Sequence, residues 1–103
     1  MPIEQVSSEQ QQKTMVAEIV KRAIIDEARV NIALQQLADD EALNGTLLRI
    51  TSLSFVGMLM TLEDELDIKL DDELFMKMKF TLVSDLINFV YATYVTAQAG
   101  KAI

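Results

Sequence analysis

The chain has a single proline, at position 2, and the rest of it is rich in Ala, Leu, Met, Glu and Gln. These residues are strong helix formers, whereas proline is the residue that interrupts a helix most effectively. Half of the 103 residues are hydrophobic, which is enough for a helical core. The sequence therefore predicts one compact all-α domain.

Charge and missing residue types restrict the function. The net charge of −7 opposes binding to nucleic acid or to an anionic membrane surface, and it favours partners with basic surfaces. The chain has no cysteine and no histidine, so it forms no disulfide, thiolate metal site or histidine-dependent active site. Neither a paired nucleophile and base nor a metal-binding spacing of carboxylates is visible, and we expect a protein that is not an enzyme.

The apolar runs are short or are interrupted by charged residues. They predict neither a signal peptide nor a transmembrane span. We expect a cytoplasmic protein, and a monomer.

The first part of the chain reads as an arm, a helix and a loop. Residues 1–12 are polar and glutamine-rich and predict a flexible arm whose end leads into a helix that Ser7 or Ser8 could cap. From Lys13 to Ala28 apolar residues recur at helical spacing, which predicts the first helix. Arg29 to Ile50 loses that period and predicts a long ordered loop, with a short helix possible around Ile32 to Ala38. The apolar residues expected to hold the loop on the core are Ile32, Leu34, Leu37, Leu43, Leu47 and Leu48.

A second helix is predicted from Ser52 to Leu66, and it has two apolar faces. At about 100° per residue, one face suits a core and contains Phe55, Leu59, Leu62 and Leu66. Leu53, Val56 and Met60 lie on another face, next to Glu63 and Asp64. A helix that only packs on a core needs one such face. The second face is therefore either a contact surface or a surface that packs against the long loop.

Two further helices follow. The segment from Asp71 to Met78 begins with the acidic residues Asp71-Asp72-Glu73 and has Lys77 near its end. This order of charges predicts a short third helix. Thr81 is the expected cap of a last helix that ends near Gly100, with apolar positions at Val83, Leu86, Ile87, Val90 and Tyr94. The helical domain is expected to span residues 13–97, and residues 98–103 are expected to fray.

The middle of the chain carries a recognisable pattern. Thr51-Ser52-Leu53 opens a helix that ends in Leu62-Glu63-Asp64-Glu65-Leu66-Asp67, and Ile68-Lys69-Leu70 and Asp71-Asp72-Glu73 follow. Asp39-Asp40 and Leu47-Leu48 precede it, and Phe80-Thr81-Leu82-Val83-Ser84-Asp85-Leu86 comes later. In residues and in helix order, about residues 13 to 95 resemble the acyl carrier protein family. The resemblance implies a four-helix bundle with a long loop between the first and second helices and a short third helix.

In function, the resemblance implies that Ser52 carries covalent 4′-phosphopantetheine, transferred from coenzyme A by a phosphopantetheinyl transferase. Acyl intermediates of fatty-acid or polyketide biosynthesis would be held on it as thioesters. A phosphodiester suits a helix N-terminus, where backbone N–H groups are unpaired. The resemblance also implies docking of ketosynthases, acyltransferases and similar enzymes with basic surfaces onto Leu53, Val56, Met60, Glu63 and Asp64.

The chain departs from the family at three positions. Arg49 and Thr51 stand where the family usually has glycine and aspartate, and Gly57 stands where it often has glutamate. These departures leave an unmodified acidic adaptor module, or a peptidyl carrier protein of a non-ribosomal pathway, as alternatives. Ser54 is the neighbouring alternative to Ser52. Met58, Phe75, Met76 and Met78 are either plain core or the lining of an acyl-chain site.

Overall fold

The computed structural model describes residues 8–71, 73 and 79–101, with side chains except at Ser8, Ser52 and Lys101. Within these residues there are three α-helices: α1, Ser8–Ala28; α2, Ser52–Leu66; and α3, Val83–Lys101. A 3₁₀ helix, Leu34–Gln36, lies between α1 and α2, and the described residues include no β-strand. The all-α prediction is confirmed for this part of the chain. The predicted short third helix falls largely on residues 72 and 74–78, which lie outside the described residues. Phe75, Met76 and Met78 are among those that lie outside.

α1 is the central helix, because both α2 and α3 pack against it. Its buried residues Val16, Val20, Ala23 and Ile24 follow the three- and four-residue spacing of one helix face. Arg29 ends the helix in the left-handed conformation, with φ 57°. The Val30 N–H then bonds to the carbonyl of Ile25 at 3.4 Å, as in a Schellman-type end.

The other helices complete one apolar core. α2 contributes Leu59, Leu62 and Leu66, as its periodicity predicts, and also Met58. Met58 is thus a core residue, while Phe55 is only partly buried. From α3 the buried residues are Val83, Leu86, Ile87, Phe89 and Val90.

The segment between α1 and α2 is an ordered connection, as predicted. Leu37, Leu43, Leu48 and Ile50 are buried, and Ile32 and Leu47 pack against the same core. Backbone bonds join this segment to the start of α3: Val83 N–H donates to Glu41 O at 2.9 Å, and Ser84 N–H donates to Asp39 O at 2.8 Å. These carbonyls satisfy first-turn N–H groups that a helix leaves unpaired. The connection between α1 and α2 therefore supplies hydrogen-bond acceptors for the first turn of α3.

Three predicted boundaries were wrong. α1 begins at Ser8, close to the possible caps Ser7 and Ser8, so residues 8–12 are helical and not part of a flexible arm. The first turn is held to α3, because Tyr91 donates its hydroxyl to Glu9 O at 3.3 Å. α3 ends at Lys101, one residue after the predicted end near Gly100, so the expectation that residues 98–101 fray is wrong. Thr81 is not the cap of α3, which begins at Val83. Instead Asp85 Oδ2 accepts the N–H groups of Thr81 and Leu82, each at 2.9 Å.

Within the described part of the chain, no helix combines the length and the apolar character that a membrane crossing requires. The same residues bring together no group of three or more acidic side chains that could hold a metal ion.

Candidate functional site: the first turns of α2

Thr51 caps α2, and Ser52 is the first residue of the helix. Thr51 has extended backbone angles, φ −84° and ψ 169°, and its Oγ1 accepts the Ser54 N–H at 3.2 Å. Its carbonyl accepts the Phe55 N–H at 2.9 Å, which is the first bond of the helix. Capping is thus performed by the residue before Ser52. Sequence reasoning had missed this role, although threonine is among the preferred N-cap residues.

Ser54, the neighbouring alternative to Ser52, takes part in the cap. Its N–H bonds to Thr51 Oγ1, and the Thr51 hydroxyl donates to Ser54 Oγ at 3.2 Å. Thr51 and Ser54 therefore hold the first turn together as a reciprocal pair, which resembles a capping box. The Ser54 hydroxyl is engaged in local structure.

The predicted second face of α2 is exposed. Leu53 is 81% exposed, Val56 53% and Met60 62%. By contrast, Met58 and Leu62 on the core side are 1% and 0% exposed. The alternative that these three residues pack against the long loop is therefore wrong. The structure brings them together as an apolar surface that begins beside Ser52, and we call Leu53, Val56 and Met60 the apolar face.

Glu63 and Asp64 lie at the far end of this face, in different settings. Glu63 is half-buried, and its Oε2 accepts the Leu70 N–H at 2.8 Å. Its carbonyl also accepts the Ile68 N–H at 3.2 Å, just after Asp67 ends the helix in the left-handed conformation. Asp64 is exposed. Asp64 is therefore the more accessible charge, while Glu63 also organises the chain after α2.

Arg49 stands on the segment that leads into α2. Its backbone pairs with Asn44 in an isolated antiparallel bridge, and its neighbours Leu48 and Ile50 are buried while Arg49 is exposed. Arg49 forms no ion pair with a carboxylate of the described residues. The first turn of α2 contains no acidic residue. The start of α2 is therefore a locally positive end in an acidic protein.

Gly57 lies on the exposed side of α2, and a side chain of α1 approaches it. A β-carbon placed on Gly57 would lie 3.8 Å from Glu27 Oε1 of α1. Sequence reasoning had missed this carboxylate, because no local spacing connects positions 27 and 57.

Comparison of the sequence with models of known protein families gives no match, and comparison with curated proteins gives none either.

Proposed function

We propose that this protein is an acyl carrier protein and that Ser52 is the attachment point of 4′-phosphopantetheine. The observation that carries the proposal is the position of Ser52. It is the first residue of α2, directly after the residue that caps the helix and beside an exposed apolar face. A serine at a helix start is most often only a cap, but here Thr51 fills that role.

The local electrostatics suit a phosphodiester at Ser52. The N–H groups of a first helical turn have no partners within the helix, and the dipole is positive at that end. No acidic residue of the first turn opposes an added negative charge. Such an end stabilises phosphate groups in many proteins.

The attachment needs no base within this chain. In the reaction the Ser52 oxygen forms a bond to the phosphorus next to pantetheine, and the pyrophosphate bond of coenzyme A breaks. The adenosine bisphosphate half leaves, and the serine proton passes to a base of the phosphopantetheinyl transferase. A chain without histidine is therefore suited to the role of substrate. When bound, the arm supplies a thiol that holds acyl groups as thioesters.

The departure at Thr51 is compatible with this proposal. Aspartate, which the acyl carrier family usually has at that position, is also a preferred N-cap residue. Thr51 keeps the cap through its hydroxyl, bonded to Ser54 N–H at 3.2 Å. What the substitution removes is a negative charge, and not the local structure that presents Ser52.

The apolar face supports docking of partner enzymes. Single exposed apolar residues are common, but Leu53, Val56 and Met60 lie on successive turns of one helix. Asp64 adds an accessible negative charge to their end, in a chain of net charge −7. Partners with an apolar contact ringed by basic residues fit this surface, as expected of ketosynthases and acyltransferases of fatty-acid or polyketide pathways.

Intact-mass measurement tests the proposal. The purified apo protein is incubated with coenzyme A and a phosphopantetheinyl transferase of broad specificity. We expect the mass of one phosphopantetheine to be added to the wild type and to Ser54→Ala, and none to Ser52→Ala. An unchanged mass of the wild type, or a gain that persists in Ser52→Ala, would refute the assignment.

An unmodified adaptor module is the second candidate, and the exposed apolar face favours it equally, because that face needs no prosthetic arm. Arg49, absent from the usual family pattern, is the residue that motivates it. The adaptor predicts that protein isolated from its native host carries no arm and still binds a partner through Leu53 and Met60. Mass spectrometry of the native protein distinguishes the two functions.

A further inference from the structure

The exposed side of α2 has a gap in its middle, and this gap belongs to Gly57. At about 100° per residue, Leu53, Met60 and Asp64 all lie within about 60° of Gly57 around the helix axis. Gly57 is itself exposed. Gly57 therefore leaves a gap along one edge of the apolar face, on the side away from Val56.

Glu27 of α1 is the side chain that borders this gap. The distance of 3.8 Å from its Oε1 to a β-carbon placed on Gly57 is an ordinary van der Waals contact. Apart from the immediate surroundings of Gly57 in its own helix, no other heavy atom of the described residues lies within 4 Å of that point. Because glycine leaves the space open, the carboxylate is presented from α1 to the surface of α2.

Glu27 is available for an external partner. It is half-buried, and it forms no ion pair with a lysine or arginine of the described residues. A partly desolvated carboxylate without a counter-ion attracts a cation more strongly than a fully exposed one does. Its approach to Gly57, which neighbours Leu53 and Met60 around α2, places that attraction at the edge of the apolar face.

We infer that Glu27 is a docking residue: beside Gly57, it receives a lysine or arginine side chain of the enzymes that bind the apolar face. The docking surface then extends over two helices, α1 and α2. The inference rests on the proposed function, because the partner used to test it is the transferase that modifies Ser52.

Kinetics of modification test the inference. Transfer from coenzyme A is measured at low ionic strength as a function of protein concentration for the wild type, Glu27→Gln and Glu18→Gln. Glu18 is the matched control, because it is exposed on α1 nine residues away, at about 180° around the helix. We expect Glu27→Gln to lower kcat/KM by about two- to fivefold, through KM, with kcat unchanged. The loss should shrink in high salt.

A charge-relocation variant separates docking from a structural role. In Glu27→Gln/Gly57→Glu the carboxylate returns to the same part of the surface from α2, and kcat/KM should recover toward the wild-type value. The inference is overturned if Glu27→Gln is no slower than Glu18→Gln, or if the double variant stays as slow as Glu27→Gln. In either case the wild type still gains the arm. A wild type that gains no mass refutes the proposed function instead, and this inference with it.

Discussion

The Glu63 carboxylate and the Leu70 backbone are joined by a hydrogen bond of 2.8 Å, from Leu70 N–H to Glu63 Oε2. This bond fixes the chain that leaves α2 against the last turn of the helix. It also gives one acidic residue at the end of the apolar face a structural role, whereas its exposed neighbour Asp64 has none among the described contacts.

Glu63 and Asp64 should therefore differ in their effect on stability. We expect Glu63→Ala to lower the free energy of unfolding by about 1–2 kcal/mol, because the Leu70 N–H loses its charged acceptor. Asp64→Ala should change it by less than about 0.5 kcal/mol. Urea unfolding followed by circular dichroism measures both. Equal effects of the two substitutions would contradict the assigned bond.

The N-cap of α2 should be lost when Thr51 is replaced by alanine and kept when Thr51 is replaced by aspartate. Thr51→Ala removes the acceptor of the Ser54 N–H and should destabilise the protein by about 1 kcal/mol. Thr51→Asp should match or exceed the wild type, because it caps equally well and adds a negative charge at the positive end of the helix. The control is Thr46→Ala, an exposed threonine of the loop. A Thr51→Ala protein as stable as this control would count against the cap.

Truncation of side chains on the two faces of α2 should change the stability of the protein to different extents. Leu62 is fully buried, so Leu62→Ala should cost about 2–5 kcal/mol of stability. Met60 is exposed, and Met60→Ala should change stability by no more than about 0.5 kcal/mol while it slows modification by the transferase. Thermal unfolding and the mass assay give the two readouts. Loss of stability in Met60→Ala would show that the apolar face is covered.

Alanine at Gly57 should stabilise α2. Gly57 lies in the helix interior, where glycine is less favourable than alanine by about 0.5–1 kcal/mol, and the added β-carbon meets Glu27 at an ordinary 3.8 Å. Gly100→Ala is the control, because Gly100 lies at the end of α3, where a smaller gain is expected. Denaturant titration compares both variants with the wild type. Destabilisation by Gly57→Ala would show that the space beside Glu27 is closed.

Asp85 should make stability depend on pH in the acid range. Hydrogen bonds from the backbone N–H groups of Leu82 and Thr81 lower the pKa of its carboxyl group below the ordinary value. Since the pKa is lower in the folded than in the unfolded state, the stabilisation is complete above the unfolded-state pKa. It is lost as pH falls through the folded-state pKa. Asp85→Asn should therefore unfold at lower temperature than the wild type at neutral pH, and the difference should narrow toward acid pH. A difference that stays constant would exclude this origin.

The bounds of α2 were predicted correctly from the sequence, and Leu59, Leu62 and Leu66 of its predicted core face are buried, because they follow one helical period. Phe55 is only partly buried, and the buried Met58 was not on that predicted face.

The start of α1 was predicted less sharply: its apolar period begins near Lys13, and only the possible caps Ser7 and Ser8 indicated the earlier start. Its first residues carry no apolar period, and they are held by α3 through the Tyr91 hydroxyl bond to Glu9 and by Lys13 Nζ, 5.8 Å from the Tyr91 ring centroid. Contacts of that kind leave no local pattern.

The candidate site divides in the same way. The place of Ser52 at the start of α2 and the apolar face follow from position and spacing within one helix, whereas the expected attachment to Ser52 comes from the resemblance to the acyl carrier protein family. The role of Asp85 was also accessible, since an acidic residue three positions after the residue that precedes a helix is half of a capping box. The Glu63–Leu70 bond and the approach of Glu27 to Gly57 depend on how the chain turns after α2 and on how two helices pack. Neither leaves a local pattern in the sequence.

The backbone bonds from Asp39 and Glu41 to the start of α3 have a consequence for the order of folding. The first turn of α3 cannot complete its hydrogen bonds until the α1–α2 connection has docked, although α1 and α2 can form from local contacts alone. Docking closes a long loop of the chain, and the loss of chain entropy in this step slows folding. We therefore expect changes in the connection to slow the assembly of α3, the helix farthest from it in sequence.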